Sequence, residues 1–283
     1  MNTKTCIIIS GPTAVGKTSY AIELAQQYDT QIISADSRQC FKELDIGVAK
    51  PTINQLEKVK HHFINSHSIH EEMNARIFEA YSLKAVSEIF ERNDVAIMVG
   101  GTGLYIKAFA EGLDEIPEVD ESVRKEINEK YFANGFDWLF NELKLHDPVF
   151  SSKGEMQNPQ RMLRALEVKF STGKSIFDFF SNKKVKRKFE IKVRLLELPR
   201  EQLYQNINLR VDEMMNHGLL KEVENLYPFK HLNSLQTVGY KELFDYFDGK
   251  ISLEKAVEEI KKNTRHYAKR QMTWFKKNME NRN

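Results

Sequence analysis

Gly11-Pro12-Thr13-Ala14-Val15-Gly16-Lys17-Thr18 follows directly on the apolar run Cys6-Ile7-Ile8-Ile9 and leads into an amphipathic stretch from Tyr20 to Tyr28. Strand, glycine-rich turn and helix in that order make a phosphate loop, with the helix beginning near Lys17. Gly11 and Gly16 let successive amide hydrogens converge on phosphate oxygens. Lys17 adds a point charge, and the Thr18 hydroxyl is placed to hold a magnesium ion. The stretch predicts a grip on two or more linked phosphates and leaves open whether they belong to a nucleotide.

Outward from the loop, strand and helix patterns alternate. Apolar runs at Ile32-Ile33 and Val95 to Val99 read as further core strands, with helical patterns at Ser19 to Tyr28 and Ala75 to Phe90 between them. These strands close on Ser10-Gly11, Ala35-Asp36 and Gly100-Gly101, which places those residues at one sheet edge, where open α/β folds bind ligands. The pattern changes after Gly112. Residues 117–182 hold no convincing core strand but carry helical stretches at Glu121 to Phe132, Phe136 to Lys144 and Gln160 to Ser171, broken by prolines and glycines. Phe189 to Leu198 alternates apolar and basic residues and reads as a return strand, followed by long helices at Arg200 to Glu224 and Leu253 to Asn278. The expected fold is α/β, a P-loop NTPase-like parallel sheet flanked by helices. Residues 1–116 and 183–283 would form that core, and residues 117–182 an inserted all-helical domain.

Apolar residues make up 41% of the 283 residues and charged residues 29%, the balance of an ordinary soluble protein. The start runs straight into the first strand and no apolar run approaches a membrane span, so a cytoplasmic protein without a signal peptide or membrane segment is expected. Cys6 and Cys40 match no metal or redox spacing and read as small buried fillers. The formal net charge of +2 says little, but its distribution says more. Seven Lys or Arg stand against one acid between Lys183 and Arg194, and nine against three acids from Lys255 onward, enough to focus a field on an anionic partner.

Asp36, just past the second strand, can accept a proton, hold a metal through water, or simply cap a turn, and its position leaves these open. The Val95 strand ends in Gly100-Gly101-Thr102-Gly103 with no acid, although most phosphate-loop hydrolases steady magnesium with an acid at such a strand end; this counts against a plain ATPase. The histidines at 61, 62, 67 and 70 lack the companions of a zinc site and read as hydrogen-bonded side chains. Arg161 and Arg164 open a helix in the insertion. Arg265, Lys269, Arg270 and Trp274 recur along the last helix beside Tyr267 and Phe275, a set suited to backbone phosphates and unstacked bases or, for the rings, to core packing.

Gly11 to Thr18, Ile32-Ile33-Ser34-Ala35-Asp36-Ser37-Arg38-Gln39, Leu44 to Thr52, His61-His62 and Val99 to Ile106 together closely resemble the tRNA dimethylallyltransferase family. The resemblance continues through Asn158-Pro159-Gln160-Arg161 with Arg164, Arg210-Val211-Asp212, Val238 to Leu243 and Thr264 to Phe275, and so spans nearly the whole chain. It implies transfer of a dimethylallyl group from dimethylallyl diphosphate to N6 of adenosine 37 in tRNAs that read codons starting with U. By resemblance Asp36 is the general base, with Lys17 and Thr18 catalytic. Gly11, Pro12, Thr13, Ala14, Val15, Gly16, Lys17 and Thr18, with Mg²⁺ on Thr18, are the diphosphate site. Ser37, Arg38, Gln39, Gly101, Thr102, Gly103, Asn158, Arg161, Arg164, Arg265, Arg270 and Gln271 are implied substrate contacts, and the insertion is implied to grip the tRNA anticodon stem-loop of a monomeric enzyme. Val48 after Gly47, Phe63 after the paired histidines and Met73-Asn74 before the helix that precedes the Val95 strand depart from the family pattern, at packing or rim positions. A small-molecule kinase would instead consume ATP, and a non-enzymatic RNA-binding switch would bind tRNA without forming product.

Overall fold

In the computed structural model, which describes residues 3–181 and 183–279, the apolar run before the phosphate loop is β1 (Thr5–Ser10), buried from Cys6 onward because it lies inside the sheet and is covered on both faces. The start at Met1-Asn2, the boundary residue Asn182 and the tail residues Glu280 and Arg282 lie outside the described residues. The chain then forms α1 (Lys17–Gln27), β2 (Ile32–Ser34), α2 (Ile53–Lys58), β3 (His61–His62), α3 (Ala75–Phe90), β4 (Val95–Gly100) and α4 (Gly103–Glu111). Five strands make one sheet in the order β3-β2-β4-β1-β5, β5 being Glu190–Leu195, and every pairing is parallel. Register aligns the carboxyl ends, with Ser10 opposite Gly100 and Ser34 opposite Val99. The phosphate loop, the Asp36 segment and the glycine cluster therefore leave the sheet at one edge.

Ile7, Ile9, Ile32, Ile97 and Val99 pack against Ala21, Ile22, Leu24 and Ala25 of α1 in one apolar cluster. Phe78 of α3 stacks on Tyr105 of α4, with ring centroids 4.5 Å apart.

Two compact units divide the chain, one of residues 1–112 and 186–283 and the other of residues 113–185. The second is helical and comprises α5 (Glu121–His146), α6 (Pro148–Lys153) and α7 (Pro159–Thr172) around a core that includes Leu139, Leu143, Phe150, Met162 and Leu166. The two helices expected between 121 and 144 are both present within α5, separated at Gly135, whose φ of 73° and ψ of −163° are not helical. In the first unit β5 is followed by α8 (Arg200–Asn216), α9 (Leu219–Leu226), α10 (Tyr240–Phe247) and α11 (Leu253–Met279). The single helix expected from Arg200 to Glu224 is thus two, because Gly218 takes a left-handed φ of 100° between α8 and α9. Pattern reading overlooked β3, a strand of two residues and too short to show alternation, and the short helices α2 and α10. No helix among the described residues is long and apolar enough to cross a membrane.

Candidate active site

The phosphate loop is shaped by backbone that side chains tolerate poorly. Gly11 has φ 148°, and a Cβ there would sit 2.5 Å from the Leu196 carbonyl oxygen. Gly16 has φ 93°, and even Ala14 is left-handed at φ 64°. Such a loop persists only when its surroundings hold it, and α8 and α11 do so. The Thr13 amide donates to Gln271 Oε1 at 2.9 Å, Asn206 Nδ2 donates to the Ala14 carbonyl at 3.3 Å, and Ala14 packs with Leu203, Ile207 and Ala268. Gln271 Nε2 also donates to the Gly101 carbonyl at 2.9 Å, so one amide ties the loop to the end of β4.

Lys17 Nζ donates to the carbonyls of Gly11 at 3.0 Å and Pro12 at 2.7 Å. Burial pulls its ammonium down to about 8, with Asp36 opposing that shift and Arg210 adding to it. Arg210, on α8, donates through Nη1 to the Thr13 hydroxyl at 3.3 Å, and burial lowers its guanidinium, countered by Glu213. An arginine fork and a lysine point charge therefore flank the same loop, a pair suited to a diphosphate. The sequence reading gave Arg210 no role.

Asp36 follows β2. Its Oδ1 accepts the Arg38 amide at 2.9 Å and the Gln39 amide at 3.3 Å, a capping role. Among the described residues no hydrogen bond engages Oδ2. The Ser37 amide donates to Thr102 Oγ1 at 3.1 Å, which joins this segment to the glycine cluster. That cluster is glycine for a steric reason. A Cβ on Gly100 would lie 2.2 Å from the Ala35 carbonyl oxygen, one on Gly101 2.2 Å from Gln271 Nε2, and one on Gly103 2.5 Å from the Trp274 ring. Gln39 is bonded on both sides of its amide. Its Nε2 donates to the Val48 and Ala49 carbonyls at 3.2 and 3.1 Å, and its Oε1 accepts the Ser34 hydroxyl at 3.2 Å.

Two cavities meet around these residues. The first, about 870 Å³, is lined by the loop from Thr13 to Ser19 and reaches Ile53, Leu56, Ile64 and Met214. The second, about 780 Å³, is lined by Ser37, Arg38, Gln236, Thr237, Lys241 and Arg270 among others. Asp36, Arg210 and Tyr267 line both. The first cavity offers cations and amides for a diphosphate and an apolar continuation, whereas the second offers polar groups and basic side chains.

The remaining expected contacts fall in several places. Arg265 lines neither cavity. Its Nη1 donates to Asn208 Oδ1 at 2.7 Å, and its guanidinium lies 6.0 Å from the Tyr204 ring centroid. Trp274, only partly buried, packs on Gly103 and edge-on to Phe275, while Tyr267 and Arg270 sit at a cavity wall. In the second unit Asn158 caps α7 by accepting the Arg161 amide at 3.3 Å, Arg161 pairs with Glu155, and Arg164 lies 3.6 Å from buried Glu167. Of the basic run before β5, Arg187 is spent internally, on Glu79 and the carbonyls of Ala108 and Phe109. His61 and His62 bond the Val59 carbonyl at 2.8 Å and Gln31 Oε1 at 2.7 Å, and burial lowers both.

Residues 39–278 match a family model described as IPP transferase. The chain belongs to the IPP transferase family. The matched stretch begins past Asp36, so the phosphate loop lies ahead of it. This IPP transferase is 48% identical over 274 residues to the tRNA dimethylallyltransferase of Christiangramia forsetii, a match covering 97% of this chain and 91% of that one. It is 49% identical over 281 residues to the tRNA dimethylallyltransferase of Flavobacterium johnsoniae, with 97% and 91% covered. Among solved structures, this IPP transferase is similar to the full-length tRNA isopentenylpyrophosphate transferase of Bacillus halodurans, at 36% identity and TM-score 0.70, covering 98% of this chain and 88% of that one. It is also similar to a eukaryotic dimethylallyltransferase acting on tRNA, at 30% identity and TM-score 0.79, covering 96% and 70%.

Lys17 has a measurable consequence. Below about pH 8 its ammonium is already charged in the free protein, so binding a diphosphate there moves no proton to it. Above that pH the lysine has lost its proton and must regain one to meet the anion. Calorimetry with inorganic diphosphate at pH 8.5, in buffers of different ionisation heat, is expected to show proton uptake greater for the wild type than for Lys17→Arg. Equal uptake in the two proteins would contradict the lysine's depressed value.

Proposed function

We propose that this IPP transferase moves a dimethylallyl group from dimethylallyl diphosphate to N6 of adenosine 37 in tRNAs that read codons starting with U, giving N6-(dimethylallyl)adenosine and releasing diphosphate. The reading rests above all on one observation. Asp36 lines both the cavity that contains the phosphate loop and the cavity beside it.

Each half of the chemistry has residues suited to it. The allylic C–O bond breaks more readily when the departing oxygen is stabilised, and Lys17, Arg210 and the loop amides supply that stabilisation. The N6 amine forms the new C–N bond and must lose a proton, which the Asp36 carboxylate accepts while also orienting the amine. Diphosphate leaves with the electron pair of the broken bond, so charge and atoms balance.

No cluster of three or more His, Cys, Asp or Glu among the described residues could cage a metal ion. The Thr18 hydroxyl lines the first cavity, and Mg²⁺ binds well through one or two protein oxygens plus phosphate oxygens and water, so the donor set fits a magnesium ion that arrives with the diphosphate. Bound there, it would neutralise charge on the leaving group. Arg38, Lys241, Lys255 and Arg270 of the second cavity suit the RNA side, and the helical unit of residues 113–185 is assigned to the anticodon stem.

The test is mass analysis of nucleosides from unmodified tRNA after incubation with protein, magnesium and dimethylallyl diphosphate. One five-carbon gain on the adenosine next to the anticodon is expected. Turnover of ATP without that product would favour a kinase instead.

A further inference from the structure

We propose that Glu222, on α9, is a positioning residue that holds the partition between the two cavities and through it the Asp36 segment. The turn at residues 45–49 is that partition, since Val48 and Ala49 line both cavities. It does not hold itself. Ala49 is left-handed at φ 49°, a conformation that persists in a non-glycine residue only when neighbours impose it.

Glu222 imposes it from the front. Its Oε2 accepts the amides of Asp45 at 3.2 Å and Ile46 at 2.8 Å, and its Oε1 accepts the Gly47 amide at 3.1 Å and the Tyr240 hydroxyl at 2.5 Å. Three consecutive amides and a phenol thus converge on one carboxylate. Only a carboxylate can answer all four, because an amide side chain has a single acceptor oxygen and would turn its own N–H groups toward donors. Buried Tyr240 packs against the same turn, and a Cβ on Gly47 would lie 2.6 Å from its ring.

At its far end the turn receives Gln39 Nε2 on the Val48 and Ala49 carbonyls, and the Gln39 amide donates to Asp36 Oδ1. The path from Glu222 to Asp36 therefore runs entirely through hydrogen bonds and one short turn. The phosphate loop is braced separately, by Gln271, Asn206 and Arg210. Breaking the clamp should accordingly disturb the base and spare the diphosphate grip.

This inference rests on Asp36 acting as the base, and the experiment separates the two. For Glu222→Gln in the full-length protein, hydrogen exchange at the amides of residues 45–47 is expected to quicken, with inorganic diphosphate affinity unchanged; neither readout needs turnover. In the transferase assay kcat is expected to fall by about 10- to 100-fold, the cost of a misplaced catalytic group, with KM for dimethylallyl diphosphate unchanged. Gly47→Ala, whose Cβ would press the turn against the Tyr240 ring, is expected to give the same split and serves if the first variant fails to fold. Wild-type exchange at 45–47, or parallel loss of diphosphate affinity and kcat, would overturn the proposal. Quickened exchange with unchanged kcat would leave the clamp in place as architecture and overturn its link to Asp36.

Discussion

Replacing Asp36 with Ala is expected to lower kcat by about 10² to 10⁴-fold, the range that general base catalysis supplies. The affinity for inorganic diphosphate, read at about pH 6 where the Lys17 ammonium stays charged, and that for unmodified tRNA should remain near those of the wild type, because the loop amides make no hydrogen bond to this carboxylate. Asp36→Asn sharpens the test. The amide oxygen can still accept from the Arg38 and Gln39 amides, as Oδ1 does now, but the side chain can no longer take a proton. If the loss came only from an unfastened turn, Asn would restore most of the activity. If proton transfer is the role, Asn and Ala fall together. A rate left unchanged in both variants would remove Asp36 from the mechanism.

The second large effect is expected at Arg210. Truncation to Ala removes the guanidinium beside Thr13 and should reduce kcat by about 10²- to 10³-fold, the usual cost of losing a donor aimed at developing negative charge. Arg210→Lys should recover only part of this, since a point charge replaces a planar fork. A second signature separates this role from a general loss of structure. Arg210 pushes the Lys17 ammonium down, so its removal should move the alkaline fall in diphosphate binding to higher pH. An alkaline limb that stays in place would break the electrostatic link between the two cations.

These two residues also show what a sequence discloses. Asp36 and the phosphate loop were legible because each sits in a short contiguous segment whose residue types carry the chemistry, directly after a strand that fixes where it points. Arg210 was not. It lies 197 positions from Thr13 and reaches it only because α8 packs on the loop, and an arginine within a polar helix announces nothing by itself. Glu222 was hidden for a different reason, since its partners at residues 45–47 are backbone amides, which every residue but proline possesses. Gln39 and Gln271 were legible as neighbours of the site, but not as braces whose polar atoms are engaged by protein. In the fold, β1, β2 and β4 showed as apolar runs, while a two-residue edge strand at His61–His62 leaves too little pattern to read.

Lys17 Nζ donates to the carbonyls of Gly11 and Pro12, the backbone of its own loop. An incoming diphosphate therefore exchanges acceptors for the ammonium and does not find it idle. The exchange runs in reverse at the end of the cycle. As product diphosphate departs, the two carbonyls recapture the lysine, so emptying the site strands no buried cation.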